Sequence, residues 1–215
     1  MKKYLLTVLA LGATMMMACN PDDSKGEGKE EPKADYNVTN ATDGYLDAYG
    51  DYYGVGLNNF AIELDIIDEA NDKITMVLVE YLLPLDSTTG LATLSPDPKW
   101  LENLYAGEVT PNTYFTGVDM DGVLYGSVYA EGILSTETIS FVDAIVDGNL
   151  TISRSGDNYV VKGLLTLGGG KTLNVDYTGA LEFGDYASGG GVSPLSVKGA
   201  KLGHAPRFFS SVLKK

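Results

Sequence analysis

The chain has one cysteine, Cys19, one histidine, His204, and one tryptophan, Trp100. A single cysteine excludes an internal disulfide framework. Nucleophilic catalysis of the Ser-His or Cys-His kind needs a base beside the nucleophile, and the lone histidine sits in a basic C-terminal tail. Zinc sites draw on several histidine or cysteine ligands, so no metal centre of that kind is expected. Basic residues are also scarce, fifteen against twenty-nine acidic, for a formal charge of −14. Nucleic acid needs a basic surface and is excluded as a partner. Gly168-Gly169-Gly170-Lys171 runs into a strand pattern rather than a helix, so it is not a phosphate-binding loop. No cofactor is implied.

What is abundant is glycine, with 26 residues, and tyrosine, with 14, in a chain that is 44% hydrophobic. That combination suits β-strands joined by many turns. The clearest stretch runs from Asp147 to Phe183. Leu150 and Ile152 alternate with Thr151 and Ser153, and Ser155-Gly156-Asp157-Asn158 turns the chain. Tyr159, Val161, Leu165 and Leu167 share the next face, and Leu173, Val175 and Tyr177 the one after. Period-two alternation gives each strand one apolar side, and short glycine-rich connections make hairpins. Asn59 to Ile67 repeats the pattern, with Phe60, Ile62, Leu64 and Ile66 opposite Asn59, Ala61, Glu63 and Asp65. Lys73 to Leu83 is apolar on both faces at its centre, as in a covered central strand.

Val123 to Glu131 reads as one strand, with Val123, Tyr125, Ser127 and Tyr129 on one side. Prolines at 96, 98 and 111 make residues 85–112 the irregular part, although Trp100, Leu101, Leu104 and Tyr105 have the spacing of a short helix face. The expectation is an all-β fold, an antiparallel meander of about eight or nine strands forming a calycin-like barrel or a β-sandwich.

The N-terminus reads differently. Met1-Lys2-Lys3 is a short basic region, Tyr4 to Ala18 is apolar, and the run is too short for a comfortable membrane span. It ends in Met16-Met17-Ala18-Cys19, which resembles a bacterial lipobox. That resemblance implies cleavage before Cys19 and acylation of its sulfur and new amino group, with acyl chains contributing about 0.8 kcal/mol per buried methylene. Asn20 to Lys33 holds no large apolar residue and reads as a flexible tether. Its acidic pair, Asp22-Asp23, resembles the surface-export signal of Bacteroidota lipoproteins.

Residues 1–18 are thus read as signal peptide, 19–40 as acidic tether, 41–186 as β-domain, and 187–215 as a glycine-rich linker and basic tail. Cleavage leaves 13 basic residues against 29 acidic. The tail carries Lys198, Lys201, Arg207, Lys214 and Lys215 and no acid. It is expected to lie against the acidic domain, to add an edge strand, or to stay mobile.

Candidates for chemistry are few. Asp119-Met120-Asp121-Gly122 resembles the opening of a calcium loop but lacks the third acidic position and the distal glutamate; it reads as a plain turn. Glu80 falls on the side of Met76, Leu78 and Leu82, where a carboxylate is costly unless paired or beside a cavity. Asp86-Ser87-Thr88 resembles the O-glycosylation site of exported Bacteroidota proteins, which would put a sugar on Ser87. Tyr45, Asp47, Tyr49, Asp51 and Tyr53 alternate on one face of a strand pattern, and Trp100, Tyr125 and Tyr129 extend the aromatic set. Rings that stack on apolar sugar faces, beside carboxylates that accept hydroxyl hydrogens, suit a glycan.

Signal, tether and Tyr/Gly-rich strands together resemble the small β-rich surface lipoproteins of Bacteroidota. The expectation is a noncatalytic domain, lipid-anchored at the cell-surface side of the outer membrane, that binds a ligand such as a glycan or an outer-membrane protein. The alternative is a structural or adhesion protein working through protein contacts.

Overall fold

The structure, a computed structural model, describes residues 33–120 and 123–187. Residues 1–32 and 188–215 lie outside the described residues, and with them the signal segment, Cys19, nearly all of the tether and nearly all of the tail. The chain divides into two compact units, 1–33 and 34–215, and the described residues belong almost entirely to the second.

Those residues form thirteen strands, one short α-helix and one 3-10 turn at Glu69–Asn71. In chain order the strands are β1 (Tyr36–Val38), β2 (Asp43–Gly50), β3 (Leu57–Asp68), β4 (Lys73–Pro84) and β5 (Ala92–Asp97). Helix α1 (Trp100–Ala106) comes next, then β6 (Thr113–Phe115), β7 (Val118–Met120), β8 (Val123–Tyr125) and β9 (Val128–Ile133). The chain continues through β10 (Thr138–Ser155), β11 (Asn158–Leu167), β12 (Thr172–Gly179) and β13 (Glu182–Asp185). The fold is all-β, as the alternation implies.

The hairpins β2–β3, β3–β4, β9–β10, β10–β11 and β11–β12 are antiparallel neighbours in sequence. Closure comes from two strands that serve two neighbourhoods each. The first part of β10 pairs with β9; after an irregularity between Ile145 and Asp147, its second part pairs with β11 and β5. Residues 92–94 of β5 pair with β10, and residues 95–97 with β6. With β4 pairing both β6 and β9, the ring β4–β6–β5–β10–β9 closes as a five-stranded barrel. The remaining strands extend from it, and β7–β8 forms a separate two-stranded sheet.

The main core gathers the apolar rows read from sequence: Phe60, Ile62 and Leu64 of β3; Val77, Val79 and Tyr81 of β4; Leu150 and Ile152 of β10; Val161, Leu165 and Leu167 of β11; Leu173 and Val175 of β12. Each such side chain contributes ~1.5–3 kcal/mol relative to exposure.

Several expectations need correcting. The strands outnumber the eight or nine expected, and three pairings are parallel: β1 with β12, β5 with β6, and β13 with β2. β1 falls within the stretch assigned to the tether. Asp35 fastens it, through Lys171 at 3.0 Å and the Thr172 backbone N–H at 2.9 Å. β5 includes Pro96, tolerated because β5 has left β10 by that point and pairs on one side only. The single strand expected over Val123 to Glu131 is two, broken at Gly126, whose φ is +80°. A Cβ there would lie 2.5 Å from the Thr116 carbonyl oxygen.

Candidate functional site

The stripe expected at Tyr45 to Tyr53 does not exist as one strand. β2 ends at Gly50, with φ +68°, and residues 51–56 form a turn. The Asp51 carboxylate accepts the Val55 and Gly56 backbone N–H groups, so it shapes that turn. Only Tyr45, Asp47 and Tyr49 remain on one face. Tyr49 is buried, donates its hydroxyl to Asp47 Oδ2 at 3.1 Å and stacks on Tyr186 at 5.4 Å.

Tyr53 turns the other way, under the loop, and the structure brings it together with Trp100 and Tyr125. These three surround Leu82 and Phe115 in a second apolar cluster, joined by Leu57, Leu101 and Leu104. Trp100 is 2% exposed. Its ring stacks on Phe115 at 4.6 Å, and its Nε1 donates to the Thr116 carbonyl at 2.8 Å. Trp100 is therefore a foundation for this end of the molecule, not a contact residue. Tyr129 lies apart, in the main core, with its ring against Tyr36 and its hydroxyl donating to Glu131. Gly126 is the physical reason that Tyr125 and Tyr129 part company.

Glu80 lies beneath this cluster and is 1% exposed. Its Oε1 accepts from the Tyr53 hydroxyl at 2.8 Å and from Asn59 Nδ2 at 2.9 Å. Burial pushes its carboxyl up to about 7, and the two donors oppose that rise. A buried carboxyl held by donors but by no cation is suited to anchoring a loop, here residues 51–56, at a set position.

Above this base, exposed rings and an exposed leucine come from three connected elements. Tyr52 sits edge-on to Tyr53 at 5.0 Å. Leu85 is 57% exposed, beside the point where Asn58 Nδ2 donates to the Leu85 and Ser87 carbonyls at 2.8 and 2.9 Å. Tyr105, 87% exposed, projects from α1, whose Leu101 and Leu104 pack into the cluster. Ser87 lies in the loop between β4 and β5. The β2–β3 turn, the β4–β5 loop and α1 thus form an end with apolar contact surface on a rigid footing. The alternation puts Tyr52 on the wrong side of a strand, because nothing in the residue pattern shows that Gly50 adopts the left-handed conformation.

Two further acids escape the sequence pattern. Glu63 and Asp65 occupy the polar row of β3 and read as solvent-facing, yet each is 8% exposed. Burial, then the charges of Asp65 and Asp47, holds Glu63 well above the usual carboxylate range. Burial and the charge of Asp43 push Asp65 up to about 7. Among the described residues, no three His, Cys, Asp or Glu side chains come together as a group that could hold a metal ion. No described helix is long and apolar enough to cross a membrane.

The fold and this end define an all-β domain with a five-stranded closed barrel. No protein family, curated protein or solved structure matches the chain.

Proposed function

We propose that the protein is a noncatalytic β-domain, lipid-anchored through Cys19 at the outer face of the outer membrane, that captures a ligand at the end built from the β2–β3 turn, the β4–β5 loop and α1. The observation that carries this reading is the pairing of exposed Tyr52 and Tyr105 with a hydrogen-bonded base of half-buried Tyr53 and buried Glu80, Asn59 and Trp100. Exposed rings on a fixed support bind with little ordering cost. A glycan is the ligand class that such rings suit, through its apolar C–H faces. The lipobox-like Met16-Met17-Ala18-Cys19 and the acidic Asp22-Asp23 pair support the anchor and the surface location.

Two measurements test the reading. A clickable palmitate analogue should label the protein in cells and should fail to label Cys19→Ala. A glycan array probed with the soluble form should give a specific hit that Tyr105→Ala loses. The alternative, a structural or adhesion protein, is favoured by the exposure of Leu85 beside these rings, since an aliphatic side chain suits a protein partner. Silence on every glycan, with a defined partner recovered from outer membranes, would select it.

A further inference from the structure

The turn at residues 51–56, which carries Tyr52, is built as a separate piece. Tyr52 N–H donates to the Gly50 carbonyl at 2.8 Å, and Gly54 N–H to the Asp51 carbonyl at 3.1 Å. The Asp51 carboxylate accepts from the Val55 and Gly56 N–H groups. These bonds fix the shape of the turn without tying it to the barrel. Gly50 and Gly56 bracket it at φ +68° and +77°, where a residue without Cβ bends the chain at little cost. Its inward side chain is Tyr53, half-buried, whose ring meets Phe115 at 5.6 Å and whose hydroxyl reaches Glu80.

Glu80, by contrast, is fixed. Its strand β4 pairs with β3 on one side and with β6 and β9 on the other, and its backbone N–H donates to Ser127 Oγ, just before β9, at 3.3 Å. The groups that face its carboxyl are few. The Tyr53 hydroxyl comes from the turn and the Asn59 amide from β3, both on Oε1. From β2 come Asp47, across Ala61 in the register, and Tyr49, whose hydroxyl is raised by burial first and by the Asp47 and Glu80 charges after it. None of these is a cation, and the ion pairs among the described residues lie elsewhere, at Lys73–Glu131, Lys162–Asp176 and Lys171–Asp35.

A carboxylate buried without a cation gains by reaching water. Tyr53 is the movable part of its cover: lifting the turn breaks the bond to Oε1 and admits water there. In the closed form burial raises the carboxyl to about 7, against 4.5 for the hydrated group. The closed form therefore holds a proton that the open form releases. Closure is fully favoured below the lower value and weakens as pH rises through the upper one.

We propose that Glu80 and the 51–56 turn form a proton-operated latch: the neutral carboxyl lets the turn close with Tyr53 bonded to it, and the ionised carboxyl favours its release. The latch governs how firmly Tyr52 is held, so its consequence for capture rests on the reading proposed above; the latch itself does not.

Amide hydrogen exchange followed by NMR on the soluble protein, corrected for the intrinsic pH dependence of exchange, tests this without a ligand. Protection at Val55 and Gly56, the two amides that Asp51 holds, should fall about tenfold between pH 6 and pH 8, the factor that a carboxyl raised to about 7 implies. Val160 and Val161 of β11, a strand paired on both sides, should stay at least about a hundredfold better protected at both pH values, which marks the opening as local. Glu80→Gln, which cannot ionise, should keep the β11 protection and lose the pH dependence at Val55 and Gly56. Tyr53→Phe, which keeps the ring and loses the bond, should lower protection of the turn at both pH values. Equal protection at pH 6 and pH 8 in the wild type, a fall that persists in Glu80→Gln, a turn unaffected by Tyr53→Phe, or turn amides as well protected as β11 would each overturn the latch. Failure of every glycan to bind would overturn the capture reading and leave these outcomes unchanged.

Discussion

Asn59 gives one amide hydrogen to Glu80 at 2.9 Å, on the same carboxylate oxygen that takes the Tyr53 hydroxyl at 2.8 Å. The pair joins neighbouring strands β3 and β4 at the point where the chain must also hold down the 51–56 turn. A carboxyl is a costly way to fill such a place, since burial disfavours its charged form.

That cost has a sign that can be measured. Burial raises Glu80 from 4.5 to about 7 in the folded protein, and Asp65 from 3.8 to about 7. Between those limits the native state holds protons that the unfolded chain has released, so stability falls as pH rises through the window and levels off above it. At about 1.4 kcal/mol per pH unit, Glu80 alone removes on the order of 3 kcal/mol. Thermal unfolding should therefore have a higher midpoint at pH 5 than at pH 8. Glu80→Gln, which keeps an acceptor for Tyr53 and Asn59, should raise the pH 8 midpoint and flatten the profile.

Tyr53→Phe removes one of the two donors to Glu80. The charged carboxyl loses more than the neutral one, so the expected loss of stability is about 1.5 kcal/mol at pH 8 and smaller at pH 5. Denaturant titrations at the two pH values measure the difference.

Trp100 is the only tryptophan, and its burial against Phe115 makes it a reporter. Its emission should be blue-shifted in the native protein and move red on unfolding. Trp100→Ala should cost about 3–5 kcal/mol, through lost apolar area, a cavity and the unpaired Thr116 carbonyl.

Gly126 separates β8 from β9 at positive φ, and a Cβ there would meet the carbonyl oxygens of Thr116 at 2.5 Å and Phe115 at 2.9 Å. These are backbone atoms and cannot swing away. Gly126→Ala should destabilise by about 2 kcal/mol or more, whereas Gly156→Ala, also at positive φ but in open space, should cost about 1 kcal/mol. Chemical unfolding of both variants checks the contrast.

Much of the barrel was legible because period-two alternation is a local signal. Leu150, Ile152, Val161, Leu165, Leu173 and Val175 all face inward as their spacing implies. The edge strands β1 and β13 were not legible: each is three or four residues long and is defined by a parallel partner more than a hundred residues away. The prolines that made residues 85–112 look irregular hid β5, because Pro96 is harmless only once β5 has lost its second neighbour. At the site, Glu80 stood out as a charge in an apolar row. Glu63 and Asp65 did not, because an acid in a polar row looks solvated, and only the tertiary fold shows that this row is covered. Tyr45 to Tyr53 failed as a stripe at one residue, Gly50.

The most direct test of ligand capture is affinity electrophoresis of the soluble protein through gels containing candidate glycans, run beside the double variant Tyr52→Ala, Tyr105→Ala. Retardation of the wild type by at least one glycan, abolished in a variant whose thermal midpoint is unchanged, is the expected result. Free migration of the wild type in every gel, or equal retardation of the variant, would contradict it.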